Sequence, residues 1–140
     1  MVQNIVEAAR WLKKAADQGY AEAQYKLGIF YAEGRGVAQS DVKAAQWCKE
    51  AADQGYAPAQ CYLGIAYGSG RGLARNYVAA VQWSRRAADQ GHAEAQYMLG
   101  HFYNFGDGVA HDDAEAAQCF QKAADQGNVK AYCDLGMLYF

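Results

Sequence analysis

The 140-residue chain is poor in residues that do chemistry: it holds three serines (Ser40, Ser69, Ser84), three histidines (His92, His101, His111) and one proline, Pro58. No Ser, His and Asp grouping and no Cys and His grouping is confined to one part of the chain, so no nucleophile with an adjacent base is visible. Charge of one sign is also scarce. Thirteen Lys and Arg against fifteen Asp and Glu leave a net charge of −2. The basic pairs Lys13-Lys14 and Arg85-Arg86 read as solvated helix surface, which argues against nucleic acid as a partner. No run of about 18 apolar residues occurs, which excludes a helical membrane span. The N-terminus lacks the basic and apolar regions of a secretory signal, so the sequence as written reads as cytoplasmic.

The four cysteines show no Cys-x-x-Cys and no paired Cys and His spacing, and no metal or other cofactor is expected. Cys48 and Cys61, like Cys119 and Cys133, flank an Asp-Gln-Gly turn, which is consistent with two bridges. The reading favoured without a sign of secretion is four reduced cysteines acting as small apolar fillers.

What the chain has in abundance is itself. Ala-Ala-Asp-Gln-Gly stands at Ala15 to Gly19, Ala51 to Gly55, Ala87 to Gly91 and Ala123 to Gly127, a spacing of 36 residues. Leu27-Gly28, Leu63-Gly64, Leu99-Gly100 and Leu135-Gly136 keep the same register, each followed by a tyrosine three residues on, at Tyr31, Tyr67, Tyr103 and Tyr139. Trp11, Trp47 and Trp83 repeat, with Cys119 in the fourth place, and Gly34-Arg35-Gly36 is answered by Gly70-Arg71-Gly72 and Gly106-Asp107-Gly108. A unit this small cannot bury its apolar face alone, so units must stack along a line and share a core.

Each unit reads as two helices. Ala44, Trp47, Cys48 and Ala51 follow the i, i+3, i+4, i+7 spacing of one apolar helical stripe, here named helix B. Asn4, Ser40, Asn76 and Asp112 precede the four B helices as hydrogen-bond acceptors for the first turn, with Glu7 and Glu115 completing a capping box in two of them. The glycine of each Asp-Gln-Gly ends helix B in a left-handed conformation. Ala23, Leu27 and Tyr31 mark helix A, ended by Gly34 and its counterparts, and Pro58 falls in the first turn of one A helix. The expected helices are B at about 5–18, 41–54, 77–90 and 113–126, and A at 21–33, 57–69, 93–105 and 129–140. The expected class is all-α, a single solenoid of about four stacked antiparallel helix pairs over 1–140. The Leu-Gly glycines are expected where a neighbouring helix comes close, and the tryptophans and tyrosines as knobs filling the layer between units.

Ala-x-x-x-Leu-Gly-x-x-Tyr, then Gly-x-Gly-Val, then Ala-Ala-x-Trp and Ala-Ala-Asp-Gln-Gly resemble the Sel-one-like repeats, relatives of the tetratricopeptide repeats, over the whole chain. The resemblance implies a right-handed superhelix with A helices on the concave side, and adaptor or scaffold function. A cysteine-rich bacterial branch is described as binding or hydrolysing β-lactams. Its hairpin disulfides would require cysteines where this sequence has Ala52 and Gln60.

A feature present in every unit is most economically assigned to folding, which demotes Asp17, Asp53, Asp89 and Asp125 from catalytic candidates to helix-end residues. The Gly-x-Gly loops lack the lysine of a phosphate cradle. A binding site is expected where units differ. On the A-helix face opposite the Leu and Tyr stripe, the first unit offers Tyr25 and Ile29, and the second Cys61 and Ile65. The third offers Glu94, Tyr97, His101 and Asn104, and the fourth Lys130 and Met137. Apolar anchors in a polar frame suit a peptide or protein partner. His101 has no helper nearby in sequence and reads as a polar groove residue. The leading function is a non-catalytic protein-interaction scaffold. The alternatives are a hydrolase of the cysteine-rich branch, and an engineered or truncated array built for stacking, with self-association through the apolar Leu138-Tyr139-Phe140 end.

Overall fold

The computed structural model describes residues 2–139. These form eight α-helices in chain order: α1 (Val2–Asp17), α2 (Ala21–Glu33), α3 (Asp41–Asp53), α4 (Ala57–Ser69), α5 (Tyr77–Asp89), α6 (Ala93–Phe105), α7 (Asp113–Asp125) and α8 (Val129–Tyr139). Odd-numbered helices are the B helices and even-numbered ones the A helices. Every helix packs on the one before and the one after it, and α4 also touches α6, so the molecule is a helical solenoid of antiparallel pairs. No strand occurs among the described residues.

Local chemistry fixes where helices start and stop. The side chains of Ser40, Asn76 and Asp112 accept the backbone N–H of Lys43, Ala79 and Glu115 at 3.2, 3.0 and 3.0 Å, which satisfies donors that the first turn leaves free. Asn4 does not do this. Helix α1 already runs from Val2, which places Asn4 inside it, and Glu7 pairs with Arg10 at 2.7 Å instead of closing a capping box. At the C-terminal ends, Gly55 sits at φ +89° immediately after the Gln54 cap, a conformation that L side chains resist.

The Asp-Gln-Gly phrase recurs for a reason beyond the turn. Gln54 donates from Nε2 to the carbonyl of Gly19 and to Gln24 Oε1, one repeat earlier, at 3.0 and 2.8 Å. Gln90 and Gln126 repeat both bonds on Gly55 and Gln60, and on Gly91 and Gln96. Gln24, Gln60 and Gln96, all buried, donate in turn to the carbonyls of Ala16, Ala52 and Ala88. Buried amides are thereby satisfied by partners that exist only when repeats stack in this register.

The Leu-Gly pairs set the spacing between an A helix and the B helix of the next unit. A Cβ on Gly28 would lie 2.6 Å from Cys48 Sγ and 3.0 Å from the Ala44 carbonyl oxygen; on Gly100 it would lie 2.6 Å from the Phe120 ring. The core is a chain of alanine-rich clusters around Leu27, Leu63, Leu99 and Phe120. The expected tryptophan knobs hold unevenly. Trp83 is buried, Trp47 is half-buried, and Trp11, at 63% exposed, stands in solvent with Lys14 over its ring at 4.7 Å. Trp47 packs back on Leu12, Ala16 and Leu27 of the preceding unit, and Trp83 on Ala52 and Leu63; among the described residues no B helix stands before Trp11.

Candidate partner-binding face

The helices fall into two layers. Lys13 of α1 sits over Trp47 of α3, and Lys49 of α3 over Trp83 of α5, linking successive B helices. On the other side α4 meets α6, and α6 reaches Asp134 of α8. The A-helix layer carries the positions at which the units differ.

Four candidates of the first two units divide unevenly. Tyr25 is half-buried, its ring 5.6 Å from Tyr56, and its hydroxyl is held above its usual range first by burial and then by the nearby Cys48 and Cys61. Ile29 is half-buried and Ile65 is 41% exposed. Cys61 is not available to a partner: it is 3% exposed and packs against Ala87 and Ala95, and burial pushes its thiol up to about 12. Small alanines on the next two helices let its side chain sink into the stack.

The later units are richer. Glu94, Tyr97, His101 and Asn104 on α6 all remain partly accessible, and Lys130 and Met137 on α8 are exposed. His101 is not the isolated polar residue that sequence suggested. Its Nε2 lies 2.8 Å from Tyr97 Oη and 3.2 Å from Asp134 Oδ2, which α8 supplies. That carboxylate oxygen is buried, and Asp134 also faces the Tyr97 hydroxyl, so the three side chains form one polar cluster that joins α6 to α8. Tyr97 is raised to about 12, first by burial and then by its hydrogen bond to Asp134. The imidazole stacks on Phe105, with rings 5.6 Å apart and 9° from parallel, and meets Phe120 edge-on at 5.5 Å. Phe105 itself is 66% exposed. The other two histidines serve elsewhere: His92 caps α6 by accepting the N–H of Ala95, and His111 pairs with Asp113 at the start of α7.

Nothing in this cluster is a nucleophile aimed at a base. Ser84 is wholly buried, Cys48 and Cys119 are buried thiols raised to about 12 and about 11, and no metal-binding group of three His, Cys, Asp or Glu occurs among the described residues. All four cysteines are free; Cys133 is exposed and so is not the apolar filler expected. Where the cysteine-rich branch would place a bridge, Gln60 donates to the Ala52 carbonyl at 3.2 Å.

Sequence reasoning missed one column of this face. Lys26, Tyr62, Met98 and Asp134 are equivalent positions, and Tyr62 and Asp134 each stand close to the residue 37 places before, Tyr25 and Tyr97. Four different residue types in one column is the same signal of variation that identified the others.

The Sel1 repeat family model matches residues 1–20, 21–56, 57–92 and 93–128. Among curated proteins, none matches the chain. Among solved structures, the chain is 42% identical to c5321, a protective antigen present in uropathogenic Escherichia coli strains that displays this repeat fold, with a TM-score of 0.91 over 93% of this chain. It spans 28% of that protein's length. A Sel1 repeat protein from Oxalobacter formigenes is also 42% identical, with a TM-score of 0.81, over 89% of this chain and 94% of its own. Helicobacter pylori cysteine rich protein B, at 20% identity and a TM-score of 0.74 over 96% of this chain and 97% of its own, shares the fold. Repeats that match by model over nearly the whole chain, with stacking residues in the same register, place it: the chain belongs to the Sel1 repeat family.

Proposed function

We propose that this chain is a scaffold that binds a peptide or protein partner along the concave face formed by its A helices. Sel1-repeat proteins are generally protein–protein interaction scaffolds and typically non-enzymatic. The observation that carries the proposal is the cluster of Tyr97, His101, Phe105 and Asp134. The cluster is particular to this repeat, since the equivalent places in other repeats hold residues such as Ile65, Ser69 and Met98, and it keeps an exposed aromatic ring stacked on an imidazole. Aromatic anchors framed by polar groups are the usual centre of an interface.

The test is affinity capture from the source cells on the immobilised protein and on a Tyr97→Ala/His101→Ala double variant whose helix content is checked by circular dichroism. A partner retained by the wild type and lost at least tenfold on the double variant is expected. Equal retention on both would remove the concave face as the site.

A further inference from the structure

A second surface lies on the opposite edge of the solenoid from the Asp-Gln-Gly turns, where the loops from A to B cross. A cavity of about 320 Å³ opens between α1, α2 and the loop after α2. Its floor is apolar, made by Ala9, Leu27, Tyr31 and Val37, with Val6 at its mouth. One repeat later a cavity of about 480 Å³ is lined by the equivalent residues, including Val42, Ala45, Leu63, Tyr67 and Leu73. The second lies between helices covered on both sides, so the pair is a product of the repeat and not of the chain's edge. At the third repeat Val81 stands in place of the alanine, and Arg85 lies across the Tyr103 ring and donates to its hydroxyl.

The glycine of each loop explains why a hollow forms. Gly36 presses on the backbone of α1 at Ile5, and a Cβ there would lie 3.0 Å from the Ile5 carbonyl carbon and 3.1 Å from Ala9 Cβ. The loop is thereby pinned at one end of the B helix, leaving uncovered apolar surface beyond it.

Charge separates the two hollows. The first is lined by Arg10, Lys13 and Lys14 and by no carboxylate, and Lys43 lies over its Tyr31 at 5.6 Å. The second has Lys49 balanced by Glu50. The acids closest to the first hollow's cations are Glu7 and Asp17, paired with Arg10 and Lys13 in exposed contacts that carry little energy and can be exchanged. We infer that this edge is a docking surface, separate from the A-helix face, for an acidic peptide segment. It would seat one apolar side chain in the first hollow, carboxylates against Arg10, Lys13 and Lys14, and a further apolar side chain in the second hollow. An extended chain suits two open hollows in register, which a single lipid tail does not require.

The probe is a fluorescein-labelled peptide of Glu and Asp with Leu at every third position, compared with its Lys counterpart by fluorescence anisotropy. The wild type should bind the acidic peptide at least tenfold more tightly than the basic one, with affinity falling as salt rises. Arg10→Glu/Lys14→Glu should weaken binding at least tenfold, and Val6→Asp severalfold; all three side chains are exposed, so the fold is retained. Tyr97→Ala/His101→Ala should leave it unchanged, which separates this proposal from the one for the A-helix face. Equal affinity for the two peptides, indifference to the charge reversal, loss of binding in the Tyr97/His101 variant, or binding to phosphatidylserine vesicles without binding to the peptide would each overturn it.

Discussion

Gly64 and Gly136 hold the same place in the repeat, yet they live in different surroundings. A Cβ on Gly64 would overlap Ser84 Oγ and lie 3.4 Å from the Ala80 carbonyl oxygen, whereas one on Gly136 would meet nothing within 4 Å. The residue is the same because the position is the same; its constraint comes from the helix packed over it. Repeated residues in this chain are therefore stacking residues, and their energetic weight follows the neighbour that covers them. The same contrast separates Cys48, Cys61 and Cys119, sealed in the stack, from Cys133, exposed on α8.

The comparison can be broken most forcefully at the interior side. Phe120 is fully buried and fills the space over Gly100, so Phe120→Ala should cost about 3–5 kcal/mol of unfolding free energy, read by urea denaturation. A loss below about 1 kcal/mol would show that the interior is not tightly packed there. Gly64→Leu overpacks the same kind of contact and should cost about 1–3 kcal/mol. Gln90→Ala removes two bonds between successive turns and strands the buried Gln60 Oε1, for about 1 kcal/mol. Thermal unfolding unchanged from wild type would show that the glutamine ladder only follows the stacking. The mildest probe perturbs nothing: a thiol reagent on the native protein should label Cys133 quickly and the other three only on unfolding. Rapid labelling of Cys61 would reverse its exclusion from the candidate face.

Much of this architecture was legible in sequence because its causes are local. Ser40, Asn76 and Asp112 cap helices through atoms three residues away, and Gly55 turns the chain by its own φ, so spacing alone locates them. The glutamine ladder was visible as repetition but not as function, since its bonds join residues 30 and 35 apart. The candidate face was read least well. Whether Cys61 is open depends on how closely Ala87 and Ala95 approach, and the pairing of His101 with Asp134 depends on how far one repeat is rotated on the next. Those quantities are set by packing between units. Trp11 teaches the same lesson, since a residue type that is core in Trp83 is solvent-exposed in the first unit.

The most direct test of the claim that neighbours, and not residue identity, give the repeated positions their weight is paired urea unfolding of Gly64→Ala and Gly136→Ala. Gly64→Ala should lower stability by about 1–3 kcal/mol, because the new methyl enters a filled space. Gly136→Ala should raise it by about 0.5–1 kcal/mol, because an open helix interior favours alanine over glycine. Shifts of the same sign and size in both variants would contradict the account.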